Sequence, residues 1–150
     1  MDYKFLIKDL DLNKSQKKIG TDKGLAKIGD GIVNLTYSMA KSIYLTKSNQ
    51  NNKTIRTGTK VSKNILANAL KNANLKSFAK TRADAHDLAD TAEALVAYVW
   101  LCKKVTLHEV IDFLSSNLSG DINIRSEELI GATDAFTKLF NYIDEFLPKK

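Results

Sequence analysis

An all-α fold is predicted by three observations on the 150-residue chain. Its one proline, Pro148, lies at the extreme C-terminus, so nothing interrupts long helices. Apolar residues recur at spacings of three and four, and no segment shows the alternation of a half-buried strand. A hydrophobic content of 43% is enough for one compact core, and the length favours a single domain spanning 1–150.

The elements follow in order. From Leu25 the stripe Leu25, Ile28, Ile32, Leu35, Met39 and Ile43 predicts a helix to about Leu45, and a second stripe of Ala26, Val33, Tyr37 and Tyr44 leaves it little polar face, so this helix is expected to be central. The polar run TKSNQNNKTIRTGT reads as a loop with some mobility. Thr59 is a candidate cap for a helix carrying Val61, Ile65, Ala69 and Leu70, and a short helix is expected around Leu75 to Ala79. Thr81 with Asp84 makes a capping-box pattern before a long helix whose stripe is Ala85, Leu88, Ala89, Ala92, Leu95, Val96 and Val99. Thr106 with Glu109 repeats the device for a helix through about Leu118, SSNLSGD is a turn, and Ser126 starts a last amphipathic helix ending near Leu147.

Several function classes are excluded or disfavoured by composition. The longest apolar run, Ala94 to Cys102, is far short of the roughly 20 residues a membrane span needs, and the N-terminal MDYKFLIKDLDLNK lacks a signal-peptide core, so a cytoplasmic protein with no membrane partner is expected. The lone Cys102 forms no intramolecular disulfide and is expected to serve as core packing. Net charge is +6, and it is segregated. Between Asp30 and Asp84 there is no Asp or Glu, while Lys41, Lys47, Lys53, Arg56, Lys60, Lys63, Lys71, Lys76, Lys80 and Arg82 all fall there. A surface of that kind suits the phosphates of a nucleic acid.

Two acidic features stand apart from this pattern. Asp30 lies between Gly29 and Gly31 inside an apolar helical segment, where each glycine costs about 1 kcal/mol and a buried carboxylate costs more unless its charge is compensated. Asp90 and Glu93, at i and i+3 in RADAHDLADTAEALVAYVWL, share one helix face with His86 at the edge of the apolar stripe. Like charges that close repel unless a cation lies between them. Three converging carboxylates from two packed helices would suit Mg²⁺ or Mn²⁺.

These motifs resemble the ribonuclease III family. KGLAKIGDGIV, Lys23 to Val33, aligns with a first family motif reading roughly E-R-L-E-F-L-G-D-A-V-L, and LADTAEALVAYVWL, Leu88 to Leu101, follows a second reading roughly L-A-D-x-x-E-A-L-I-G-A-x-Y-L. The resemblance runs from Lys23 to Leu101; the helices after Cys102 carry no motif of that kind. It implies a helical endonuclease domain of the compact type, without a double-stranded-RNA-binding domain, forming a homodimer across the first-motif helix. It also implies that Asp30, Asp90 and Glu93 are the catalytic, metal-holding carboxylates. Lys23 and Ala26 stand where that motif has glutamates, the second of them a metal ligand; Asp87, Asn34 or a water are candidates to replace it.

The function expected is therefore a Mg²⁺- or Mn²⁺-dependent endoribonuclease that processes double-stranded or structured RNA, with Lys53, Arg56, Lys60 and Lys63 on the phosphate backbone. The alternative, motivated by Lys23 and Ala26, is a catalytically inactive homologue that binds RNA or scaffolds a ribonucleoprotein. A helical interaction module whose acids are ordinary surface charge is the third possibility.

Overall fold

A computed structural model describes residues 2–149. Among them are seven α-helices and no strand: α1 (Lys8–Asn13), α2 (Gln16–Gly20), α3 (Lys23–Ser48), α4 (Lys63–Asn72), α5 (Ala85–Leu101), α6 (Leu107–Asn117) and α7 (Arg125–Ile143). Short 3₁₀ turns cover Lys4–Ile7, Lys76–Phe78 and Asp144–Phe146. No helix is long and apolar enough to cross a membrane among the described residues.

Helix α5 is the axis of the core. Leu88, Ala89, Ala92 and the run Ala94 to Val99 are all buried, since α5 is enclosed by α2, α3 and α4. Helix α7 packs on α4 and α6, with Phe136, Leu139 and Phe140 fully buried. The starts of these helices are set by side chains that satisfy otherwise orphaned N–H groups. Asp22 accepts from Leu25 N at 2.8 Å, and the Thr106–Glu109 capping box forms as the pattern predicts. Two other caps are shifted. Ser62, not Thr59, caps α4, and the box on α5 joins Asp84 to Asp87 rather than Thr81 to Asp84. Helix α7 starts at Arg125 with no side-chain cap.

The largest correction concerns α3. Its second stripe is the core face: Ala26, Val33 and Tyr37 are buried, the Tyr37 ring lies 5.9 Å from that of Phe136, and the Tyr44 hydroxyl donates to the Gly120 carbonyl at 2.7 Å. The first stripe is divided, with Leu25 and Ile32 inside and Ile28, Leu35 and Met39 exposed. So α3 is not buried all round, and its tyrosines face this chain's own C-terminal helices.

The polar run after α3 is also more ordered than its composition suggests. Residues 55–61 run extended and antiparallel to α3, tied by side chains one helical turn apart. Val61 N–H donates to Asn34 Oδ1 at 2.8 Å, Thr59 N–H to Ser38 Oγ at 2.9 Å, Thr57 N–H to Ser42 Oγ at 3.0 Å and Ile55 N–H to Thr46 Oγ1 at 2.8 Å. The Ser38, Ser42 and Thr46 hydroxyls face the carbonyls of the same three residues at 3.3, 3.1 and 3.2 Å. The segment lacks a strand partner, and α3 supplies one through its hydroxyls.

Candidate active site

Asp30 is carried on α3, and Asp90 and Glu93 on α5. The two helices are in close contact at Gly29, where a Cβ would collide with the backbone carbonyl of Glu93, whereas one at Gly31 would meet nothing. Only the first of the two glycines is thus required for close helix packing. That contact sets Asp30 beside Glu93. All three carboxylates line one cavity of about 290 Å³, together with Lys23, Ala26, Lys27, Lys60 and Lys63.

Asp30 accepts from Asn34 Nδ2 at 3.1 Å, and the other end of that amide receives Val61 N–H. Glu93, only 9% exposed, is pushed up to about 8 from its ordinary 4.5. Burial is the main cause, followed by a hydrogen bond to the Asp30 carboxylate and the charges of Asp30 and Asp90; the Lys63 ammonium opposes the shift. At neutral pH Glu93 is therefore mostly protonated and hydrogen-bonded to the Asp30 carboxylate. Asp90 Oδ2 faces Lys23 Nζ at 3.1 Å and His86 Nε2 at 3.5 Å, and His86 Nδ1 in turn contacts Lys63.

Three carboxylates, hard oxygen donors, fit a single Mg²⁺ or Mn²⁺ in donor chemistry: a cation at Asp30 and Glu93 would replace the proton that Glu93 carries. The donors are not preassembled into a cage. No three acidic, histidine or cysteine side chains are gathered in metal-holding geometry among the described residues, because Asp90 is turned to Lys23 and His86.

The expected phosphate-binding residues divide. Lys60 and Lys63 line the acidic cavity. Arg56 instead borders an apolar groove of about 790 Å³ between α3 and the extended segment, and Lys53 lies beyond it, its N–H bonded to Asn49 Oδ1. Lys60 and Lys53 are about 23 Å apart along an extended chain. Lys41 leaves the basic surface altogether. It is half-buried and pairs with the buried Glu128 at 2.8 Å, and Tyr37 and Arg125 also bind that carboxylate, at 2.8 and 3.0 Å. These bonds hold Glu128 below the usual carboxylate range although burial works against them, and burial with the Glu128 contact drives the Tyr37 hydroxyl well up. Asp87 does not reach the cavity; it caps α5 and pairs with Lys80 at 3.3 Å.

Sequence reasoning missed Lys27 and the full role of Lys23 as cavity residues. A lysine four residues after Lys23 on an N-terminal helical turn was the available signal, masked by the many lysines of the chain.

The architecture is an all-α domain in which two helices cross at a glycine and bring three carboxylates into a lysine-rimmed cavity. A family model described as Ribonuclease III matches residues 23–149, and the chain belongs to the ribonuclease III family. The match continues through α6 and α7, well past the motifs that end at Leu101. No curated protein matches the sequence.

Proposed function

We propose that this protein is a Mg²⁺- or Mn²⁺-dependent endoribonuclease acting on double-stranded or structured RNA, as an RNA-processing enzyme of the cytoplasm. The observation that carries the proposal is the convergence of Asp30, Asp90 and Glu93 in one lysine-rimmed cavity of a ribonuclease III-family domain. Asp30 and Glu93, with Asp90, would hold the ion. Bound there, a divalent ion supplies an activated water and charge stabilisation at the scissile phosphate. Lys60 and Lys63 seat the phosphate backbone, and recognition rests on helical shape rather than base sequence. Glu93 would give up its proton where a cation took its place, and as a carboxylate would accept charge-assisted contacts.

Incubation of labelled duplex RNA with the protein in Mg²⁺, Mn²⁺ or EDTA tests this. Cleavage with either ion, abolished by EDTA and by Asp90→Asn, is the expected result. Binding of duplex RNA without cleavage under every condition would instead establish the second reading, an inactive homologue that binds RNA or scaffolds a ribonucleoprotein. That reading is favoured by the Lys23 ammonium on Asp90 and by Ala26, which offers the cavity no donor. Charge reversal of Lys60 and Lys63 to Glu is expected to weaken duplex binding about equally for unrelated sequences and to flatten its salt dependence.

The active unit we propose is a two-fold symmetric homodimer. Ile28, Leu35 and Met39 form an exposed apolar stripe on α3, continuous with the groove lined by Leu35, Met39, Ile43 and Ile55, and a second copy of the same stripe would cover it. Light scattering at micromolar concentration is expected to give twice the 16.7 kDa chain mass, and Leu35→Glu to return it to that of one chain.

A further inference from the structure

Lys23 stands on the first turn of α3, directly after the Asp22 cap, and its side chain is 70% exposed except where the ammonium meets Asp90. Asp90 is partly enclosed, and its Oδ2, the oxygen that Lys23 reaches at 3.1 Å, also receives His86 Nε2 at 3.5 Å. An ion coordinated by Asp90 Oδ2 and an ammonium on the same oxygen would be like charges within about 4 Å, which disfavours their coexistence. The lysine stem is long and flexible, so the ammonium can swing into solvent at the cavity mouth, near Lys27.

We propose that Lys23 is a tethered counter-ion for Asp90, which a divalent ion must displace in order to use that carboxylate. The proposal rests on the metal-site reading above and deepens it: the affinity of the site for its ion is set partly by a residue that never touches the ion. Lys23 is thus a positioning residue, occupying Asp90 Oδ2 until it is displaced.

The test is titration of the RNA-free protein with Mn²⁺, free ion being read by electron paramagnetic resonance. Lys23→Ala is expected to bind Mn²⁺ about three- to fivefold more tightly than the unmodified protein, the factor corresponding to release of one largely exposed ion pair. Lys23→Arg should bind like the unmodified protein. Lys27→Ala removes the same charge from the same cavity without touching Asp90, and should give less than half the gain. In an Asp90→Asn background, Lys23→Ala should give no gain, because the interaction it relieves is gone. Equal affinities for the unmodified protein and Lys23→Ala, or a gain that persists with Asn at position 90, would overturn the proposal while leaving the metal site standing. Failure of every variant to bind Mn²⁺ at millimolar concentration would overturn both. Because Lys23 and Lys27 are exposed, their variants are expected to unfold at the temperature of the unmodified protein, which separates these outcomes from misfolding.

Discussion

From Lys23 to Asn34, α3 sets Asp30 against the carboxylates of α5; from Ser38 to Thr46 it matches its serine and threonine hydroxyls to the backbone of residues 55–59. The same helix thus carries an electrostatically uncomfortable end and a fully satisfied one. In the first, burial and the neighbouring Asp30 carboxylate push Glu93 toward its protonated form. In the second, no buried side-chain polar atom lacks a partner, a condition that holds across the described residues. Repulsion confined to one cavity is what a cation or phosphate could relieve, whereas the hydroxyl ladder asks nothing of a ligand.

The contrast can be broken most severely at its acidic end. Asp30→Asn is expected to lower cleavage of duplex RNA about a thousandfold, equivalent to about 4 kcal/mol of transition-state stabilisation, while thermal unfolding without metal shifts slightly upward because a half-buried charge beside Glu93 is removed. A variant that cleaved within tenfold of the unmodified protein would place the chemistry elsewhere.

Next in size is the crossing itself. Gly29→Ala is expected to destabilise by about 3 kcal/mol, since its methyl meets the Glu93 carbonyl and the helices must part. Gly31→Ala, with open space around it, should stabilise by up to about 1 kcal/mol through helix propensity. Urea midpoints decide this pair; two similar values would mean that the close approach is not rigid.

The raised Glu93 carboxyl can be read from pH. Because Glu93 is raised from 4.5 to about 8, the folded metal-free protein binds more protons than the unfolded chain across that window, and stability declines as pH rises through it. Glu93→Gln removes the decline and should lead by about 2 kcal/mol at pH 8.5, below the full conversion of about 1.4 kcal/mol per pKa unit because neighbouring groups relax. Unfolding in EDTA at several pH values measures it, and parallel profiles for the two proteins would contradict it.

The smallest effects belong to the satisfied end. Ser42→Ala should cost about 1 kcal/mol, the usual worth of a hydrogen bond whose loss leaves Thr57 N–H without its partner. Amide exchange at Thr57 should quicken while cleavage is unaffected; a loss of activity as large as that of Asp30→Asn would erase the distinction between the two ends.

Much of this was legible beforehand, and the misses have identifiable causes. Asp30, Asp90 and Glu93 could be placed together because a carboxylate inside an apolar stripe and an i, i+3 acid pair at a stripe's edge both imply facing helices. Periodicity could not say which of the two α3 stripes faces inward, because both are apolar; Phe136 and Glu128, about 100 residues away, decide it. Lys41 was indistinguishable from the surface lysines because its buried partner lies on α7. The extended segment looked like a loop because its ladder partners are Ser and Thr side chains on a helix, a pairing with no local sequence signature.

That ladder behaves as a vernier. Successive rungs on α3 are four residues apart, about 6.0 Å of rise, and two residues of extended chain cover about 6.6 Å. The two scales drift apart by about 0.6 Å per rung, and each rung turns about 40° around the helix, so the chain winds a third of a turn between Thr46 and Asn34 before the mismatch approaches 2 Å. The odd-numbered residues from 55 to 61 are locked to the helix, which leaves Arg56, Gly58 and Lys60 facing outward. A slip of one notch, two residues, would present Gly58 or Ser62 at the cavity in place of Lys60. Which charge stands opposite the three carboxylates is therefore metered by hydroxyls as far as about 24 Å away on α3, and an insertion within residues 55–59 would re-address the site without altering any residue in it.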